Sequence, residues 1–158
     1  MCVLLERRTY VYDLGTLELQ QTMDVERSRG VGALTACSEP SLLALLAPAE
    51  GGRGAVRVYD LLPDGGRVLC EFAAHRSPLA LLAWNDAGSL LASASEKGTV
   101  VRVHRMPAAA KGFEFRRGST GARITSLAFT PSSAPHPLLC VASTHGTIHL
   151  FSLQEAGR

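Results

Sequence analysis

A short apolar word returns along this chain at nearly constant spacing, and no other feature restricts the fold as much. Val11-Tyr12-Asp13, Val58-Tyr59-Asp60, Val103-His104-Arg105 and Leu150-Phe151-Ser152 follow one another at intervals of 47, 45 and 47 residues. A period of roughly 40–50 residues made of short strands marks propeller blades, each of which is one small sheet packed on its neighbours. The order inside each unit repeats as well. An Ala-Leu, Leu-Leu or Ser-Leu pair comes first, at Ala33-Leu34, Leu81-Leu82 and Ser126-Leu127. A Leu/Ala-rich run follows at 42–46, 90–94 and 138–142, then an alternating run at 55–59, 99–103 and 147–151. A fourth, outer strand is expected at 67–72 and 112–116.

Helical repeats compete for the same period. The β-branched run Thr99-Val100-Val101-Arg102-Val103 argues against them, and so do the prolines at 40, 48, 63, 78, 107 and 131, all between runs. The expected class is therefore all-β, a β-propeller of WD40-like four-stranded blades. Residues 1–22 read as the last two strands of one blade, 30–73 as a blade, 79–117 as another and 123–153 as three strands of a fourth. A closed propeller needs more blades than that, so the sequence reads as an incomplete propeller with open sheet edges at both ends.

A chain of 158 residues can bury one sizeable core. The formal net charge of +2 gives no whole-molecule argument for nucleic acid. The charge is uneven, however. From Glu96 to Arg123 there are seven Lys or Arg against two Glu, a basic stretch of the kind that meets phosphate or an anionic membrane. The four cysteines, at 2, 37, 70 and 140, form no C-x-x-C pair and suit reduced thiols in apolar surroundings. No apolar run approaches the ~20 residues of a spanning helix, so membrane contact is expected to be peripheral. No nucleophile–base–orienter set is legible, and an enzyme is not expected. No cofactor is implied. His145 and His149 stand four apart without a third ligand at metal spacing.

Within the basic stretch, Phe115-Arg116-Arg117-Gly118 stands out. Neighbouring side chains on a strand point to opposite faces, so the two arginines can serve two pockets, one on each side. Arginine grips phosphate with a planar fork and stays charged. Solvated surface arginines are the plainer reading of such a pair.

The run from Ala74-His75 to Arg117-Gly118, with Ser93-Ala94-Ser95-Glu96-Lys97-Gly98-Thr99 inside it, closely resembles the PROPPIN family of β-propellers, called WIPI proteins in animals. Ser143 to Phe151, Val3-Leu4-Leu5-Glu6, Val11-Tyr12-Asp13 and Val58-Tyr59-Asp60 extend the match over nearly the whole chain. The resemblance implies a seven-bladed parent fold, of which this chain is about three to four blades. It implies a non-enzymatic adaptor of autophagy that binds phosphatidylinositol 3-phosphate and 3,5-bisphosphate on membranes, with autophagy proteins as partners and no nucleic acid. One lipid site would take Ser93, Ser95, Gly98, Thr99, Arg102 and Arg116, with His75 and Lys97 close by. The other would take Arg117, Ser143, Thr147 and His149, and Gly118 completes the arginine signature. The location implied is cytoplasmic, peripheral on autophagosome-precursor or endosomal and vacuolar membranes. The family's membrane-inserting loop, which follows the third strand of the last blade, is expected to be missing from this chain. A propeller that binds proteins and no lipid is the alternative.

Overall fold

The computed structural model describes residues 1–25, 29–36, 39, 41–48, 54–61 and 66–154. Among them there is no helix. Fourteen strands form four antiparallel sheets. Sheet I holds β1 (Cys2–Leu4), β2 (Arg8–Tyr12) and β3 (Leu19–Asp24). Sheet II holds β4 (Gly32–Leu34), β5 (Leu42–Leu46), β6 (Ala55–Asp60) and β7 (Arg67–Ala73). Sheet III holds β8 (Leu79–Trp84), β9 (Leu90–Ser95), β10 (Val100–Arg105) and β11 (Ala110–Arg116). Sheet IV holds β12 (Ile124–Phe129), β13 (Leu138–Ser143) and β14 (Ile148–Ser152). Each sheet is a meander whose strands pair in chain order. The first strands β4, β8 and β12 lie against one another, and β7 and β11 are the outer strands. This is the blade arrangement of a propeller.

Two sheets can pack only if both facing surfaces are apolar, and the sequence alternation supplies them. Between sheets II and III lie Leu42, Ala44, Val56, Val58, Leu79, Leu82 and Leu91, all buried. Between sheets III and IV lie Ala92, Ala94, Val101, Val103, Ile124, Leu127, Leu139 and Val141. Sheet I contributes Val11 and Met23 against Leu43 and Leu45 of sheet II. Polar ties cross the same seams. Trp84 Nε1 donates to the Ala33 carbonyl at 3.0 Å, and Arg29 pairs with Glu96 at 2.8 Å. The Asp86 carboxylate accepts from the Ser132 amide at 2.8 Å and from the Ser132 hydroxyl.

The repeated word marks a structural device. In sheets I, II and III the outer pairing slips by one residue opposite that word, between Val11 and Tyr12, Val58 and Tyr59, and Val103 and His104. Each slip is a β-bulge that leaves one extra residue on the outer strand: Gln20, Leu69 and Gly112. Beyond the bulge the faces of the outer strand exchange.

The expected strands are found within a residue or two of their reading. Sheet I differs, with three strands where two were expected. β1 is only three residues long, too short for alternation to announce it. Cys2, Cys70 and Cys140 are free and half-buried, and burial raises the thiol pKa of Cys2 and Cys70. Cys37 lies outside the described residues. No helix among the described residues is long and apolar enough to cross a membrane.

Candidate functional site

Sheet III has two faces, and the two arginines divide between them. Arg102 on β10 pairs in register with Ser93 on β9 and Glu114 on β11, so these three side chains share one face. Arg116, two residues past Glu114, lies on that face too. It is the face toward sheet II, because His104 packs on Phe72 there, with ring centroids 4.5 Å apart. Phe113 and Phe115 take the opposite face. Phe115 stacks on Phe151 of β14 at 4.6 Å, and Phe151 stacks on His149 at 5.9 Å. Arg117 continues that alternation, toward sheet IV.

The face toward sheet II holds a buried polar chain. His75 lies on the connection into β8 and is buried. Its Nδ1 is 3.3 Å from Arg102 Nη1, and its Nε2 is 3.1 Å from both the carbonyl and the hydroxyl of Ser93. A guanidinium can only donate, so Nδ1 accepts and Nε2 carries the proton. Arg102 Nη1 also donates to the Ala74 carbonyl at 2.8 Å, and Arg102 Nε donates to Glu114 at 2.8 Å. Burial is the main cause that lowers the His75 pKa to about 4, and the Arg102 charge pushes the same way. His104 is lowered to about 4, again chiefly by burial. The hydrogen bond from Arg102, and then that from Lys111, hold the Glu114 carboxyl down at about 2.

The expected residues of the first site differ in availability. Ser93 is fully buried and its hydroxyl is used by His75 and the Arg102 carbonyl. Ser95, next to the turn, is also buried. The Gly98 amide donates to the Ser95 carbonyl at 2.9 Å, so it serves the turn. Gly98 has φ of +59°, and a Cβ there would drive into the Ala122 carbonyl, so only glycine closes this turn. The Thr99 carbonyl accepts from the amides of Arg117 and Gly118 at 2.9 and 3.5 Å. Arg102 is pinned from three sides. Arg116 is exposed and, among the described residues, its side chain has no hydrogen-bond or ion-pair partner. Lys97 is exposed on the turn before Gly98.

The second group is divided between the two sides of the seam between sheets III and IV. Arg117 Nε donates to the Gly98 carbonyl at 2.7 Å and its Nη2 to the Thr120 carbonyl. Opposite stand Ser143, Thr147 and His149, on the face of sheet IV that carries Val141 and Phe151. The Ser143 and Thr147 hydroxyls are 3.1 Å apart, and His149 pairs in register with Val141. Glu114 is the residue that sequence reasoning passed over. Its signal was cross-strand: it faces Arg102 in register, but only once the bulge at Gly112 is known.

The fold is one of propeller blades with buried apolar seams, and Lys97, Arg116 and Thr147 are exposed at the strand ends and turns of adjoining blades. A family model described as PROPPIN matches residues 1–157, and the chain belongs to that family. It is 40% identical over 157 residues to autophagy-related protein 18b of Arabidopsis thaliana, covering 99% of this chain and 42% of that protein. It is 37% identical to autophagy-related protein 18 of Mycosarcoma maydis, covering 98% of this chain and 37% of that one. Among solved structures, the complex of KlAtg21 with the coiled coil of AgAtg16 matches with a TM-score of 0.78 and 29% identity, over 99% of this chain and 50% of that one. Kluyvelomyces marxianus Hsv2 matches in fold with a TM-score of 0.76 at 23% identity, over 98% of this chain and 46% of that one. The chain thus spans half or less of the length of these relatives. It is a β-propeller chain of an autophagy-related family.

Proposed function

We propose that this chain binds the head groups of phosphatidylinositol 3-phosphate and 3,5-bisphosphate, and that it serves autophagy as a peripheral membrane adaptor without a catalytic step. One observation carries the reading: consecutive arginines at the end of β11 face two different blade seams. Arg116 and Arg102 attend one seam, and Arg117 with Ser143, Thr147 and His149 attends the other. Two head-group pockets on one rim give avidity, because the second lipid binds at high local concentration. Each cation near an anionic leaflet adds about 1 kcal/mol, and salt screens it. The bound membrane would be a cytoplasmic surface of an autophagosome precursor, endosome or vacuole. A coiled coil, as in the Atg21 relative's complex, is the kind of protein partner the reading allows.

The test is co-sedimentation with phosphatidylcholine vesicles, with and without phosphatidylinositol 3-phosphate. The chain should sediment only with the phosphoinositide, and Arg116→Ala/Arg117→Ala should stay in solution while remaining folded by circular dichroism. Undiminished sedimentation of that variant would refute the mechanism. A folded wild-type chain indifferent to the lipid would favour a propeller that binds proteins alone.

A further inference from the structure

The arginine beside Arg116 already has an anion. Glu114 Oε2 accepts from Arg102 Nε at 2.8 Å and lies 2.9 Å from Lys111 Nζ. One carboxylate oxygen thus serves two cations of the same face. Lys111 and Glu114 are three apart and would face opposite ways on a regular strand. The bulge at Gly112 turns Lys111 to the face of Glu114.

Arg102 does not depend on Glu114 for its place. Its Nη1 is tied to the Ala74 carbonyl and to His75, and Ser93 holds His75 in turn. Glu114 is therefore a charge partner rather than a support. It is also half-exposed and two residues from Arg116, so a phosphate gripped by Arg116 meets it at roughly 7 Å along the strand. A phosphate offers more charge and more acceptor oxygens to a guanidinium fork than a carboxylate does.

We propose that Glu114 is the resident counter-anion of this site: it occupies Arg102 and Lys111 before the ligand arrives, yields them to a phosphate of the head group, and so limits affinity. The inference rests on the phosphoinositide reading above. Glu114 stays ionised at physiological pH, so a stronger anion, and not a proton, releases the two cations.

The same vesicle assay tests it, on the wild type, Glu114→Gln, Arg102→Ala and the double variant, each checked for folding by its urea midpoint. Glu114→Gln should bind phosphatidylinositol 3-phosphate vesicles roughly fivefold more tightly, the worth of one unit charge beside an anionic surface. The gain should shrink in the Arg102→Ala background, as expected for coupled neighbours. Lys111→Ala, a change at an exposed side chain, should weaken binding. Head-group-dependent binding by Glu114→Gln alone would support the inference equally. Equal or weaker binding by Glu114→Gln, beside a wild type that does bind, would overturn it and leave the lipid reading standing. Indifference of every folded variant to the head group would overturn both.

Discussion

Acidification should loosen the seam between sheets II and III before the depressed carboxylates titrate. His75 and His104 both lie on that seam, and both titrate at about 4 in the folded chain against an ordinary value near 6.5. A base whose folded pKa is lowered binds fewer protons folded than unfolded. Its contribution is present above the unfolded value and is lost as pH falls toward the folded one. The window is therefore 6.5 down to about 4. The cause is local. A proton on His75 Nδ1 would face Arg102 Nη1, replacing an accepted hydrogen bond with two opposed donors. His104 Nδ1 has no partner among the described residues, and its ring rests on Phe72. Within the window each histidine gives a slope of up to about 1.4 kcal/mol per pH unit, and the full loss is on the order of 3 kcal/mol each. Against a usual stability of about 5–15 kcal/mol that is a large share. Urea denaturation at pH values from about 7 to about 4.5 measures it. Midpoints should fall steadily, and His75→Gln or His104→Leu should each remove about half of the slope. Glu114 acts lower: its depressed pKa means stability lost only as pH drops from 4.5 toward 2. A stability that stays flat from about pH 7 to about 5 would refute the reasoning, because two neutral buried histidines cannot fail to respond there.

The arginine pair should separate under single substitution: Arg116→Ala should leave stability within about 0.5 kcal/mol, whereas Arg117→Ala should cost about 1.5–3 kcal/mol by thermal or urea melting, since it loses bonds to the Gly98 and Thr120 carbonyls. Gly98→Ala should cost more than about 2 kcal/mol, from a positive φ combined with a collision at the Ala122 carbonyl, and a melting temperature equal to wild type would contradict the turn geometry.

Much of this was legible because propeller packing writes itself into the sequence. The spacing of Val58, Val103 and Leu150 marks the third strands of sheets II, III and IV, that of Val11 marks β2, and the run 138–142 is the core of β13. The opposite faces of Arg116 and Arg117 followed from strand geometry alone. What stayed hidden depends on register. Ser93 is expected to offer its hydroxyl to a ligand, yet it is buried, because its neighbours across the strands are Leu82 and Arg102. The saturation of Arg102 needed the approach of His75 from the preceding connection, a contact eighteen residues from Ser93 in sequence. β1 was too short to declare itself.

The bulge at Gly112 acts as a phase setter for everything downstream of it. Between it and Gly118 the chain has no second chance to correct which way a side chain points. Were the bulge ironed out, so that Gly112 took a regular place opposite Val103 while the turn at Arg105–Ala110 holds, residues 113–117 would each slip by one pairing. Arg116 would then look toward sheet IV and Arg117 toward sheet II, and Phe115 would leave its stack on Phe151. One glycine of no apparent chemical interest thus decides which arginine attends which seam.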